Sequence, residues 1–198
     1  MLHWLVRLWQ VDDVLCQEDA VAAVSYGLRP DRTLTSGTKA IDELATGIFA
    51  WSRASVLAYG VNTHTVDPNA EMKLRAKDFG SLPSGSTLCV GTVESTIEEA
   101  ERIAAELRAK GYRPRSLVVV TGACHSRTAR WVWKKVFPKT QVFVRSISLY
   151  EEVDPENPMV FLRNGWTWFG VNIARHLVFR LLGYRIARAL KLRQPTSD

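Results

Sequence analysis

The sequence is poor in cysteine, and what it has is placed badly for chemistry that needs pairs. Cys16, Cys89 and Cys124 are an odd number and far apart, so neither a disulfide framework nor a zinc site follows from them. They read as reduced thiols, and no metal is expected. No apolar run approaches the roughly 20 residues that a spanning helix needs. The apolar N-terminus, Met1 to Val11, carries no small-residue cleavage site. A cytoplasmic protein is the expectation. No glycine-rich dinucleotide fingerprint follows the first strand-like run, and no Walker sequence occurs anywhere. Internal repeats and low-complexity tracts are also missing. The basic residues lack interleaved stacking aromatics, so nucleic acid is not an expected partner.

What is present is enough for a core. The chain has 198 residues, 46% of them apolar and 23% charged, an ordinary globular balance. Its net charge of +6 is unevenly placed. From Arg175 onward there are six Lys or Arg and one acid, Asp198, while the rest of the chain is almost neutral. Three regions follow: a helical N-terminal extension over 1–18, an α/β domain over 19–149, and a linker with a basic amphipathic helix over 150–198.

Within 19–149 strand and helix patterns alternate. Asp19 to Gly27, Ala54 to Gly60, Ser86 to Val90, Arg115 to Thr121 and Gln141 to Arg145 are short runs of small or β-branched residues, several closed by glycine. Between them lie helical patterns over Thr38 to Trp51, from Pro68 to Gly80, from Thr96 to Gly111, and over Ser126 to Phe137. Ser95-Thr96-Ile97-Glu98 fits a capping box, and Pro68 suits a first helical position. Such alternation implies right-handed βαβ units and a mainly parallel sheet of about five strands between two helical layers. The acidic, proline-containing residues 150–158 read as a linker or loop. Trp166 to Leu192 has an apolar stripe interrupted by Arg175, His176 and Arg180. Two readings stay open for it: a helix packed on the sheet with a basic outer face, or an interfacial helix drawn to an anionic membrane surface.

The richest stretch is Leu117 to Arg130, a β-branched run that breaks at Thr121-Gly122 and opens a helix with Cys124, His125, Arg127 and Arg130. A strand-to-helix junction presents free N–H groups and the positive end of a helix dipole, which favours an anion. In a parallel sheet the loops at the C-terminal strand ends share one rim. That rim gathers Gly27, Asn62, Glu94, Ser95, Thr96 and Thr121 with the junction. His125 can act as acid, base or donor. Arg127 and Arg130, three apart, can face one phosphate or carboxylate. Glu71 and Glu94 can hold a hydroxyl or polarise a water. Cys124 followed at six residues by Arg130 has the spacing of a cysteine phosphatase cradle, although the intervening residues include no glycine.

The order of these motifs resembles the YdcF-like family, the SanA and ElyC group. The resemblance covers roughly residues 19–147. It rests on Tyr26-Gly27 closing a strand, Val56 to Asn62, Glu71-Met72-Lys73 opening a helix, Thr96, Glu98 and Ala100, and Val120, Thr121, His125 and Ala129. The chain departs from the family pattern at Ser95 and Glu99, where asparagines are usual, and at Arg127, one place early. The resemblance implies a Rossmann-like three-layer fold with a long added C-terminal helix. It further implies a role linked to the cell envelope and an unsettled reaction; a place peripheral to the inner membrane is the expectation that the C-terminal basic helix adds. S-adenosylmethionine or a nucleotide is the cofactor class the resemblance suggests. The resulting expectation is a phosphorylated or nucleotide-like anionic ligand at the rim. His125 and Glu71 are the candidate catalytic residues, and Gly27, Asn62, Glu94, Ser95, Thr96, Thr121, Arg127 and Arg130 the candidate binding residues. The alternatives are a non-catalytic module on a membrane surface and a phosphatase using Cys124 and Arg130.

Overall fold

The computed structural model describes residues 1–15 and 17–189. Cys16 and the last part of the C-terminal helix expected to Leu192 lie outside the described residues. The strands are β1 (Ala20–Ala23), β2 (Val56–Asn62), β3 (Thr87–Val93), β4 (Ser116–Gly122) and β5 (Gln141–Ile147). They form one parallel sheet in the order β3-β2-β1-β4-β5. Its helices are α1 (Leu2–Trp9), α2 (Ser36–Trp51), α3 (Pro68–Asp78), α4 (Thr96–Ala109), α5 (Ser126–Val136), the short α6 (Leu149–Glu152) and α7 (Gly165–Ala189). The expected Rossmann-like α/β sandwich with a long C-terminal helix is what the chain forms.

The period-2 alternation of each central strand divides the core. Val21, Ala23, Val118 and Val120 face one layer, with Ile41, Ala45 and Ile48 of α2. Ala20, Ala22, Leu117 and Val119 face the other, with Ile103 and Leu107 of α4 and Val132 and Trp133 of α5. Buried on both faces, these strands need no polar side. Helix α7 belongs to both layers: Trp168 and Phe169 sit in the first core, Phe179 and Ala187 in the second. It therefore passes from one layer to the other, and the residues midway along it meet the C-terminal rim.

Two strand ends differ from the expectation for physical reasons. β1 stops at Ala23, where the backbone groups that would extend it are bonded elsewhere: Ala23 O accepts from the Arg75 guanidinium at 3.1 Å, and Tyr26 N donates to Thr38 Oγ1 at 3.0 Å. β2, by contrast, runs through Gly60. The register with β3 shifts between Tyr59 and Val61, and a Cβ at Gly60 would meet Val93 Cγ2 at 2.9 Å. This glycine marks a close approach beside a bulge, not a turn. The capping box at Ser95 forms by half. Ser95 Oγ accepts from Glu98 N at 3.2 Å, but Glu98 Oε2 accepts from Glu94 N instead of Ser95 N.

Residues 150–158 fold back onto the domain and do not trail free of it. Glu152, Asp154 and Asn157 are buried, each hydrogen-bonded to groups distant in the chain. Glu152 accepts from Tyr26 Oη at 2.8 Å, Cys124 N at 2.8 Å and Trp168 Nε1. Asp154 accepts from Ser36 N and Arg29 Nε, each at 2.9 Å. Asn157 donates to Tyr26 O at 3.2 Å. The acidic stretch is a strap that ties the sheet rim to α2 and α7.

Candidate functional site

A small polar cleft opens at the C-terminal rim, with about 30 Å³ of room inside it, above the roughly 10–15 Å³ that one water needs. In a doubly wound sheet ligands bind where the strand order reverses, here between β1 and β4. The walls come from four places: Val24, Ser25 and Tyr26 after β1, Asn62 at the end of β2, Val93 to Thr96 and Glu99 across the β3–α4 junction, and His125 after β4. Trp168 and Arg175 of α7 close the cleft from above.

A buried charge cluster lies behind the cleft. Arg75 and Asp42 are 0% and 1% exposed and joined by a 2.6 Å ion pair. Arg75 also donates to Gly60 O at 2.6 Å. Burial opposes its charge, but Asp42, Glu71 and Glu99 outweigh that and hold its pKa above the usual arginine value. Glu71 accepts a hydrogen bond from Ser25 Oγ, and burial raises its pKa. Glu99 accepts from Gly60 N at 3.2 Å. Burial pushes its pKa up to about 7, against the pull of Arg75.

His125 reaches the cleft although it is only 2% exposed. Asn172 Nδ2 donates to Trp168 O at 2.9 Å, which leaves Asn172 Oδ1 facing His125 Nδ1, also at 2.9 Å. An amide oxygen only accepts, so the proton is on Nδ1. Nε2, 3.0 Å from Thr96 Oγ1, is then the acceptor of a neutral ring. Burial first, then Arg175, pulls the pKa of His125 down to about 4. The imidazole orients the Thr96 hydroxyl; it is a weak base at neutral pH.

Arg175 completes the cleft. Burial lowers its pKa from the usual arginine value, with Tyr26 acting in the opposite direction. No hydrogen bond or ion pair joins it to any of the described residues. Across from it, the first N–H groups of α4 have no intrahelical acceptor.

No family model, curated protein or solved structure matches this chain. The chemistry of the cleft therefore rests on its own residues.

Of the residues expected at the rim, the fold brings Asn62, Glu94, Ser95, Thr96 and His125 together. Others are elsewhere. Gly27 packs against Thr65. Thr121 is buried in β4. Glu71 sits behind Ser25, one residue removed from the cleft surface, so it does not face a ligand as a catalytic group would. Arg127 and Arg130 do share a face of α5, but that face meets the N-terminal segment. Arg127 donates to Trp9 O at 2.9 Å and lies over the Trp9 ring, and Arg130 pairs with Asp13 at 3.3 Å. They hold the extension down, not an anion. The phosphatase reading fails for the same geometric reason. Cys124 is wholly buried, its thiol pKa is driven far up by burial and by Glu152, and Arg130 is turned away from it.

Arg175 is what sequence reasoning missed. It was visible only as a cation interrupting an apolar stripe, the same signal as His176 and Arg180, which lie outside the cleft.

Proposed function

We propose that this protein is a ligand-binding α/β domain whose rim cleft takes the anionic group of a small phosphorylated or nucleotide-like molecule. The observation that carries the reading is Arg175, a partly desolvated guanidinium with no partner among the described residues, at the wall of a polar cleft at the switch point. A buried unpaired charge is costly, and an anion in the cleft removes that cost. The free N–H groups of the first turn of α4 supply further donors to its oxygens. The cleft suits the anionic end of a ligand, with a larger body such as a nucleoside or the S-adenosylmethionine skeleton extending through the mouth. The resemblance to YdcF-like domains rests on motifs that end at this rim, and it links the ligand to cell-envelope chemistry.

The test is a thermal-shift panel of inorganic phosphate, sugar phosphates, nucleoside monophosphates and S-adenosylmethionine. Phosphate-bearing ligands are expected to raise the melting temperature of the native chain, and Arg175→Gln to lose the rise. A flat panel with native protein overturns the reading.

A further inference from the structure

The cleft leaves the outer side of α7 unexplained. Helical geometry breaks at Gly183, with φ 75° and ψ 164°, a conformation that favours glycine. Around this kink Leu181 is 84% and Ile186 49% exposed. A groove beside it is lined by Trp131 and Lys135 of α5 and by Arg180, Leu182, Arg185 and Ile186 of α7. Its lining holds three cations and no acid. None of the three has an ion pair among the described residues, whereas Arg188, one turn on, is paired with Glu101 at 2.8 Å. His176 registers the same field: burial first, then Arg127 and Arg180, lower its pKa.

The aromatic rings here are already engaged. Trp131 stacks on Phe179 at 5.6 Å and packs against Tyr184, whose hydroxyl donates to Glu101 at 2.7 Å. Single-stranded nucleic acid needs open aromatic faces for its bases. Exposed aliphatic side chains flanked by arginines instead match the boundary between headgroups and acyl chains.

We propose that the α7 face around Gly183 docks on an anionic lipid bilayer, with Leu181 and Ile186 entering the acyl boundary and Lys135, Arg180 and Arg185 on headgroup phosphates. No helix among the described residues is long and apolar enough to cross a membrane, so the attachment is peripheral. The inference is independent of what the cleft binds.

Vesicle flotation of the full chain tests it. The protein is expected to float with phosphatidylcholine vesicles containing phosphatidylglycerol, not with phosphatidylcholine alone, and to be released by high salt. Leu181→Asp with Ile186→Asp, and separately Arg180→Glu with Arg185→Glu, should each lower the bound fraction by about tenfold. Their unfolding midpoints should stay near that of the native chain, because the replaced side chains face solvent. Failure of the native chain to float with anionic vesicles overturns the proposal. So does flotation that ignores the Leu181 and Ile186 changes and is competed away by RNA, which would mark a polyanion surface.

Discussion

Two arginines, one buried in the charge cluster behind the cleft and one in its wall, have opposite situations. Arg75, in the cluster, is fully buried and donates to Asp42, Gly60 O and Ala23 O. Arg175, in the wall, is partly buried and donates to nothing among the described residues. A cation whose donors are all answered from within the protein belongs to the scaffold. One that is desolvated and unanswered is held ready for something outside it. Arg127 and Arg130 fall on the scaffold side despite their place beside the β4–α5 junction.

That contrast is broken most severely at Arg75. Arg75→Met strands Asp42, Glu71 and Glu99 in the core and removes the donor to Ala23 O. Unfolding in urea should show a loss of about 3 to 5 kcal/mol, or no folded protein at all.

The next effects appear as pH dependence. His125 stays neutral in the fold down to about pH 4, whereas a free imidazole protonates near 6.5. Its contribution is fully present above about 6.5 and disappears as the pH falls toward 4, on the order of 2 to 3 kcal/mol. His125→Gln should flatten the acid limb of a stability-versus-pH curve. Glu99 acts with the opposite sign. Its pKa is raised to about 7, so the fold is favoured while the carboxyl is protonated and loses stability as pH rises from about 4.5 to 7. Glu99→Gln should remove that decline, gaining most relative to the native chain above pH 7.

A smaller effect is expected at α5. Arg127→Ala removes hydrogen bonds to Trp9 O and Leu8 O and the stack on Trp9. The cost should be about 1 kcal/mol, with the phosphate-induced thermal shift unchanged. Loss of that shift would put Arg127 back in the site and erase the contrast.

The sheet was legible because its signals are local. The unbroken β-branched run Val118 to Val120, buried on both faces, and the helical spacing of Ile103 and Leu107 need no knowledge of distant partners. The rim loops were legible too, since parallel strands bring their C-terminal ends together whatever their sequence. Orientation was not. Whether Arg127 faces the rim or Trp9 depends on where α1 lies, and nothing near Arg127 encodes that. Glu152 read as part of an acidic linker or loop because its donors, Tyr26, Cys124 and Trp168, are far away in the chain. Arg175 looked like one more cation of a basic helix; only the passage of α7 from one layer to the other puts it above the strand ends.

The central claim is that Arg175 is kept for a ligand and not for the fold. The most direct measurement is the urea unfolding midpoint of Arg175→Met against the native chain, with and without inorganic phosphate. Without phosphate the variant should be as stable as the native chain or slightly more so, because an unpaired desolvated charge has been removed; with phosphate only the native chain should gain. A variant destabilised in the manner of Arg75→Met, or one that gains from phosphate as much as the native chain, would contradict the account.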